Sequence, residues 1–433
     1  MFGFNLNGRD KDFKSNLNKF ISLRNSFSES TQSSVSRIIE RIKNEGDSAL
    51  IDLTNQYDGL EISDISDLFI NEESINSSVD KIDKVITEAL IESYKRIESF
   101  HQECFKEIDI SFKEKEISRK FRAIESALLY VPGGKASYPS TVLMSAGPAV
   151  AAGVKRLILT SPRPAGRVND LTLAAAKIAG IKEVFSLGGV QAIAAFALGT
   201  ETIPKVDKIV GPGNQYVAEA KRQLYGQVGI DGIAGPSEIV ILADETSNPL
   251  TVSWDLMAQA EHDELASAVL ISTSEALIKD VVKNIQKEVR LLPRSSIITE
   301  SLRNRGGTIL VGSSKEACEV SNILAPEHLH IVTKDKESIV DNILNAGLIL
   351  VGEDSTNSLS DYVLGPSHVL PTGGSSRFSS PLSIEDFIVS SSYVNIDSLK
   401  DKESYNHMLN VTSAIASSEG LMAHAIAAKI RKK

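Results

Sequence analysis

Residues 206–226 read VDKIVGPGNQYVAEAKRQLYG, and three changes of texture within them decide the fold. DKIV is a short β-branched run, GPGN is a glycine turn, and the following stretch has helical composition and spacing. Strand, glycine turn and helix in that order make half of a βαβ unit. The same grammar extends in both directions. VKRLILTSP, EVFSLGG, EIVILAD, SAVLIST, GTILVG, HLHIVT and GLILVG read as further strands, and LTLAAAKIAG, VQAIAAFALG and SKEACEVSNILA read as helices between them. The pattern predicts an α/β protein with two parallel sheets, one over 130–236 and one over 237–381. Before them, residues 1–129 are polar and helical in period, with Val35, Ile38, Ile39 and Ile42 on one stripe, suited to scaffold or dimer packing. After them, residues 382–433 return to helix.

A chain of 433 residues exceeds the ~50–250 residues of a usual domain, so several layers are expected. The balance of 46 Lys+Arg against 56 Asp+Glu leaves a formal charge of −10, which supplies no basic field for nucleic acid. Cys104 and Cys318 are too few for a disulfide framework and suit a reducing cytosol. The first twenty residues have no apolar signal region and no later run approaches a membrane span, so a soluble cytoplasmic protein is expected. A catalytic thiolate at Cys318 would suit aldehyde oxidation, but nothing local marks it as activated.

Three glycine turns, in YVPGGKASYPST, SLGGVQAIAA and VGPGNQYVAEA, let backbone N–H groups approach a phosphate, although none reads G-x-G-x-x-G. By themselves they are equally the tight turns of an α/β fold. The seven histidines say more. His262 has Gln259 and Glu261 nearby, His328 follows Glu327, His368 follows Asp361 and His424 follows Glu419. In MAQAEHDELA, residues 257–266, helical spacing puts Gln259 and His262 on one face, where two polar heads call for a common partner. Asp361, His262 and His424, with the Gln259 amide oxygen, are donors that suit zinc, cobalt or manganese in an open site. Glu327 and His328 sit just past Pro326 at a helix-to-strand turn, where both can face one cleft, and their side chains suit proton transfer. His330 reads as packing or surface, and His101 and His407 lie in charged amphipathic helices with no assigned role.

The segments LYVPGGKASYPSTVLM, VDKIVGPGNQYVAEAKRQLYG, IDGIAGPSEIVILAD, QAEHDE, APEHL, DYVLGPSHVLPTGG and EGLMAH, in this order, strongly resemble the histidinol dehydrogenase family. The resemblance implies two incomplete Rossmann-like domains, the N-terminal helices partly completing the second, and a homodimer whose C-terminal tail reaches the partner's site. It implies oxidation of L-histidinol to L-histidine in two NAD-dependent steps through a retained aldehyde. It implies zinc held by Gln259, His262, Asp361 and His424, with His328 as general base and Glu327 activating water. Ser237, His368 and Glu419 match substrate contacts, and Tyr130, Gln191 and Asn214 match dinucleotide contacts. Ser145, Gly147, Val150, Leu364, Ser367 and Pro381 depart from the family's usual residues, and none replaces a ligand or base. Two other readings compete: the same chemistry on another small polar alcohol such as a sulfonated diol, and a noncatalytic zinc or nucleotide binder. Glu419 and His368 argue against the first, and the Glu327–His328 pair against the second.

Overall fold

The computed structural model describes residues 1–24, 29–108, 117–133, 137–163, 166–396 and 401–432. Its strands, in chain order, are β1 Phe4–Asn7, β2 Phe69–Ile70, β3 Ile117–Ala123, β4 Ser126–Tyr130, β5 Arg156–Thr160, β6 Glu183–Phe185 and β7 Lys208–Val210, followed by β8 Gly229–Ile230, β9 Glu238–Ala243, β10 Ser267–Ser272, β11 Gly307–Leu310, β12 His328–Ile331, β13 Leu348–Val351 and β14 Ile388–Val394. All the runs read as strands above are strands. The chain divides into one compact unit of residues 1–105 and 124–387 and a second of residues 106–123 and 388–433.

The first unit holds two six-stranded sheets. One has the order β2-β6-β5-β4-β7-β8 and is parallel except for β2, which joins β6 antiparallel. The other has the order β1-β11-β10-β9-β12-β13 and is parallel throughout. Both are wound alike. The chain starts in the middle, at β4 or β9, steps outward twice on one side, then returns to lay its fourth and fifth strands on the other. This is the doubly wound Rossmann order, with a switch point between β4 and β7 in one sheet and between β9 and β12 in the other.

Both faces of the second sheet are covered, which explains the unbroken apolar run EIVILA. Alternate residues enter different cores: Ile239 and Ile241 meet Leu256 and Val281 on one face, while Val240 and Leu242 meet Leu17, Phe20 and Val320 on the other. The first 24 residues belong to this sheet, for β1 pairs with β11 and the helix Phe13–Ser22 covers one face. The helix Glu29–Asp58, kinked at Gly46, instead buries Val35, Ile38, Ile42, Leu50 and Leu53 against the first sheet's core around Phe185 and Phe196.

The GPGN turn after β7 is pinned to the end of β4. Gly211 has φ +112°, and a Cβ there would lie 2.1 Å from the Tyr130 carbonyl oxygen. The Gly211 N–H donates to Asp231 Oδ2 at 2.7 Å, and the Lys221 ammonium, ion-paired with Asp231, donates to the Gly211 carbonyl at 3.0 Å.

In the second unit β3 and β14 pair antiparallel, from Ile117 opposite Val394 to Ala123 opposite Ile388. The C-terminal segment therefore begins as a strand and only then becomes the helices Lys402–Ser418 and Met422–Lys429. Met408, Val411, Ile415, Met422 and Ile426 on these helices, and Leu421 and Ile430 flanking the second, are exposed. Among the described residues no helix is long and apolar enough to cross a membrane.

Two predictions follow from packing. Gly211→Ala must move the Tyr130 peptide, so it should lower unfolding free energy by on the order of 2 kcal/mol, measured by urea denaturation; a loss near zero would show the turn to be loosely held. His101 is buried in the helix Lys84–Ile108, and neither ring nitrogen has a hydrogen-bond partner among the described residues. Burial pulls its imidazolium down to about 4, against a weaker opposite pull from Glu385. The unfolded chain then takes up a proton that the folded one refuses, so His101 should lose stability as pH falls from about 6.5 to about 4, with no effect above that window. His101→Phe should flatten that part of a Tm-against-pH curve, and an unchanged curve would refute the assignment.

Candidate active site

Glu327 and His328 arrive at the amino end of β12 through a sharp turn. The helix Ser314–Leu324 stops at Ala325, which has φ +45°, and Pro326 follows. Glu327 is the last turn residue and His328 the first strand residue, and both are buried. Each bonds to the backbone of Glu238, which opens the neighbouring strand β9. The Glu238 N–H donates to Glu327 Oε2 at 2.6 Å, and His328 Nδ1 lies 3.1 Å from the Glu238 carbonyl. A carbonyl only accepts, so Nδ1 carries the hydrogen and Nε2 of the neutral ring holds the lone pair. That Nε2 is buried, has no hydrogen-bond partner among the described residues and lies 3.5 Å from Asp361 Oδ1. Burial pushes the Glu327 carboxyl up, against the pull of His328. Burial alone would lower the His328 imidazolium, but the Glu327 and Asp361 carboxylates outweigh it and bring it to about 10. Burial would likewise raise Asp361, but His328, and more weakly His368 and His262, hold it below the ordinary carboxylate range.

Asp361 is the penultimate residue of the short helix Asn357–Tyr362, and the first residue of that helix connects it to Gln259. Asn357 Nδ2 donates to Gln259 Oε1 at 3.2 Å, and at i and i+4 Asn357 and Asp361 share a helix face. The shared helix face expected for Gln259 and His262 is not what joins them. The helix Pro249–Ala260 carries Gln259 and ends before His262, which lies in the following turn with its carbonyl accepting from Arg294 Nη2 at 3.3 Å. His262 is thus placed by a turn, because the charged run EHDE ends the helix. His330 is neither surface nor simple packing: it is buried, Nε2 lies 2.8 Å from the Gly352 carbonyl, and Nδ1 lies 3.1 Å from Asp255, one helical turn before Gln259.

His368 is partly buried and bridges the two sheets. Its Nδ1 donates to the Asp361 carbonyl at 2.9 Å, and its Nε2 meets Thr141 Oγ1 at 3.2 Å in the first turn of the helix after β4. Burial keeps this ring below the usual imidazole range. Ser237 is half-buried and immediately precedes β9. Glu419 and His424 lie in the second unit, both exposed, at the end of the helix Lys402–Ser418 and in the helix Met422–Lys429. Among the described residues no three His, Cys, Asp or Glu side chains form a group able to hold a metal ion. Cys318 is buried against the Ile339 carbonyl, and burial pushes its thiol up, so it is no activated nucleophile.

Tyr130 is the last residue of β4, and Gln191 and Asn214 lie just beyond the carboxyl ends of β6 and β7. The Tyr130 hydroxyl oxygen accepts from the Gly189 N–H at 3.2 Å, and burial pushes its ionisation up to about 12. Gln191 donates to Asp58 Oδ2 at 3.2 Å, an acidic neighbour the sequence did not announce. Asn214 caps its helix, accepting from the N–H groups of Tyr216 and Val217 at 3.0 and 3.1 Å. In an open parallel sheet the crevice at the switch point takes the ligand. The equivalent edge of the second sheet is closed by Asp244, which accepts from the Thr246 and Lys334 N–H groups at 2.9 and 2.8 Å.

A family model described as histidinol dehydrogenase matches residues 22–432. The chain is 45% identical to the histidinol dehydrogenase of Aquifex aeolicus over 408 residues, covering 93% of each chain. It is 42% identical to that of Neisseria gonorrhoeae over 431 residues, covering 99% of each. The crystal structure of histidinol dehydrogenase from Elizabethkingia anophelis superposes with a TM-score of 0.89 at 33% identity, over 99% of this chain and 97% of that one. From the two like-wound sheets, the motifs in order and this full-length similarity, the chain belongs to the histidinol dehydrogenase family of oxidoreductases.

Proposed function

We propose that the chain oxidises L-histidinol to L-histidine in two successive hydride transfers to NAD, with one zinc ion per subunit. The observation that carries this reading is the His328 ring: its Nδ1–H is committed to the Glu238 carbonyl, so the unpartnered Nε2 is the basic atom, beside Asp361. The Gln259 amide, the Asp361 carboxylate and the His262 and His424 imidazoles are oxygen and nitrogen donors of the kind that suit zinc, and they would hold it. Bound there, the ion would supply positive charge that orients the substrate's nitrogen groups. NAD, bound near Tyr130, Gln191 and Asn214, would accept the hydride.

His328 Nε2 takes the hydroxyl proton as the C–H electrons leave. Glu327, raised by burial, then takes a proton from the water that adds to the aldehyde, and His328 takes the proton of the resulting hydrate in the second oxidation. One alcohol, one water and two NAD give one carboxylate, two NADH and three protons. Ser237, His368 and Glu419 hold the substrate. Because Glu419 and His424 belong to the second unit, whose helices leave an apolar surface exposed, we assign that surface to a homodimer in which each tail completes the partner's site.

With L-histidinol, the purified protein should release two NADH per histidine, lose activity on chelation and regain it with zinc. His328→Asn should keep zinc yet lose turnover by about 100- to 10,000-fold, whereas His262→Asn should lose zinc; equal zinc loss in both would sink the assignment of roles. The tail is tested by subunit mixing. His262→Asn and His424→Asn are each inactive, but refolding them together at equal amounts should restore about a quarter of wild-type activity, since each mixed dimer regains one intact site. No recovery from verified mixed dimers would place the tail in its own subunit's site.

A further inference from the structure

The groups that hold Glu327 and His328 lead back to a charge pair outside the proposed chemistry. Glu238 supports both side chains through its peptide groups, so its own position sets theirs. Its carboxylate is buried. Arg24 Nε donates to Oε1 at 2.6 Å, Arg24 Nη2 pairs with Oε2, and the Gly373 N–H donates to Oε2 at 3.2 Å. Arg24 comes from just beyond the helix Phe13–Ser22, and its Nη1 also donates to the Leu324 carbonyl at 2.7 Å. Leu324 is the last residue of the helix that leads through Ala325 and Pro326 to Glu327. One guanidinium therefore ties the strand start that supports the two side chains to the turn that delivers them. Arg305 donates to the Leu23 carbonyl and fixes the backbone one residue before Arg24.

Stability alone gives little reason for such a pair. Desolvating two charges costs about as much as their attraction returns, and an apolar replacement is often neutral. Placement is where a bidentate Arg–carboxylate pair excels, because its planar fork fixes angle as well as distance. We propose that Arg24 and Glu238 are positioning residues that hold Glu327 and His328 in register for proton transfer, an inference that rests on the roles proposed above for those two side chains.

The test uses zinc-loaded wild type, Arg24→Met, Arg24→Lys and Glu238→Gln, with kcat and KM for L-histidinol, bound zinc, Tm, and histidine ring 15N spectra in which His328 is assigned through His328→Asn. Arg24→Met should lower kcat about 10- to 100-fold with KM and zinc content within about twofold, as expected for misplacement without lost binding. Its His328 ring should lose the single Nδ1–H tautomer, and Arg24→Lys should recover part of both. A lowered Tm with unchanged kcat and an unchanged His328 spectrum would make the pair merely structural and overturn the proposal, as would a kcat loss matched by zinc loss. Should Arg24→Met fail to fold, Glu238→Gln, which keeps the size and weakens the charge, carries the same expectations. If wild type does not turn over L-histidinol, the functional reading fails, while the 15N spectra still decide whether Arg24 orders His328.

Discussion

One peptide position, Glu238, constrains the whole site. Side chains that follow one another along a strand point to opposite faces, so Glu327 and His328 could not share a cleft from within β12. They share one because the strand begins at His328 and Glu327 still belongs to the turn. Ala325, in the left-handed region at φ +45°, makes that turn tight enough. β12 lies between β9 and β13, with His328 opposite Ile239 on one side and Leu348 on the other, so the register cannot slip without breaking two ladders. The residue just before Ile239 then meets both side chains with its two backbone groups.

The two sheets share a winding order but serve the site from opposite ends. In the first, the carboxyl ends of β4 and β7 carry the glycine turns and the proposed dinucleotide contacts. In the second, Asp244 closes the carboxyl edge with its own hydrogen bonds, and the polar residues gather at the amino edge, where Glu238 and His328 begin their strands and Ser237 and Glu327 immediately precede them. Contacts run from one edge to the other: Thr141 to His368, His368 to the Asp361 carbonyl, and the Asp361 carboxylate to His328. The proposed hydride transfer needs these edges to face each other, and His368 is one of the side chains that link them.

Much of this was legible in the sequence, and what was missed has physical reasons. β-Branched runs bounded by glycine identified β5 to β7 and β9 to β13 because buried parallel strands must be apolar on both faces, whereas the central strand β4, SALLY, falls in the 1–129 stretch read as helical. β2 and β8, two residues each, are too short to show a period, and β1, FNLN, alternates as an edge strand with half its residues polar. The C-terminal IVSSSYV has three serines in succession and was submerged in the helical pattern that follows. Within the site, motif by motif reading singled out Glu327, His328, Asp361 and His368, which the fold does bring together. It missed Thr141, Glu238, Asn357 and Arg24, because their partners lie 227, 90, 98 and 214 residues away and nothing local marks the pairing.

Charge balance explains why this buried cluster is poised and not simply stable. Glu238 is neutralised by Arg24, which leaves Glu327 and Asp361 as buried carboxylates facing one imidazole. Buried charge is tolerated only when paired, so without other cations His328 is driven to keep its proton. A proton-bearing ring cannot act as a base. A divalent cation beside Asp361 would match both carboxylates while His328 is neutral, and would leave Nε2 free to accept the substrate's proton. The carboxylates are then not a burden on the fold: they make proton uptake by His328 depend on what else occupies the cleft.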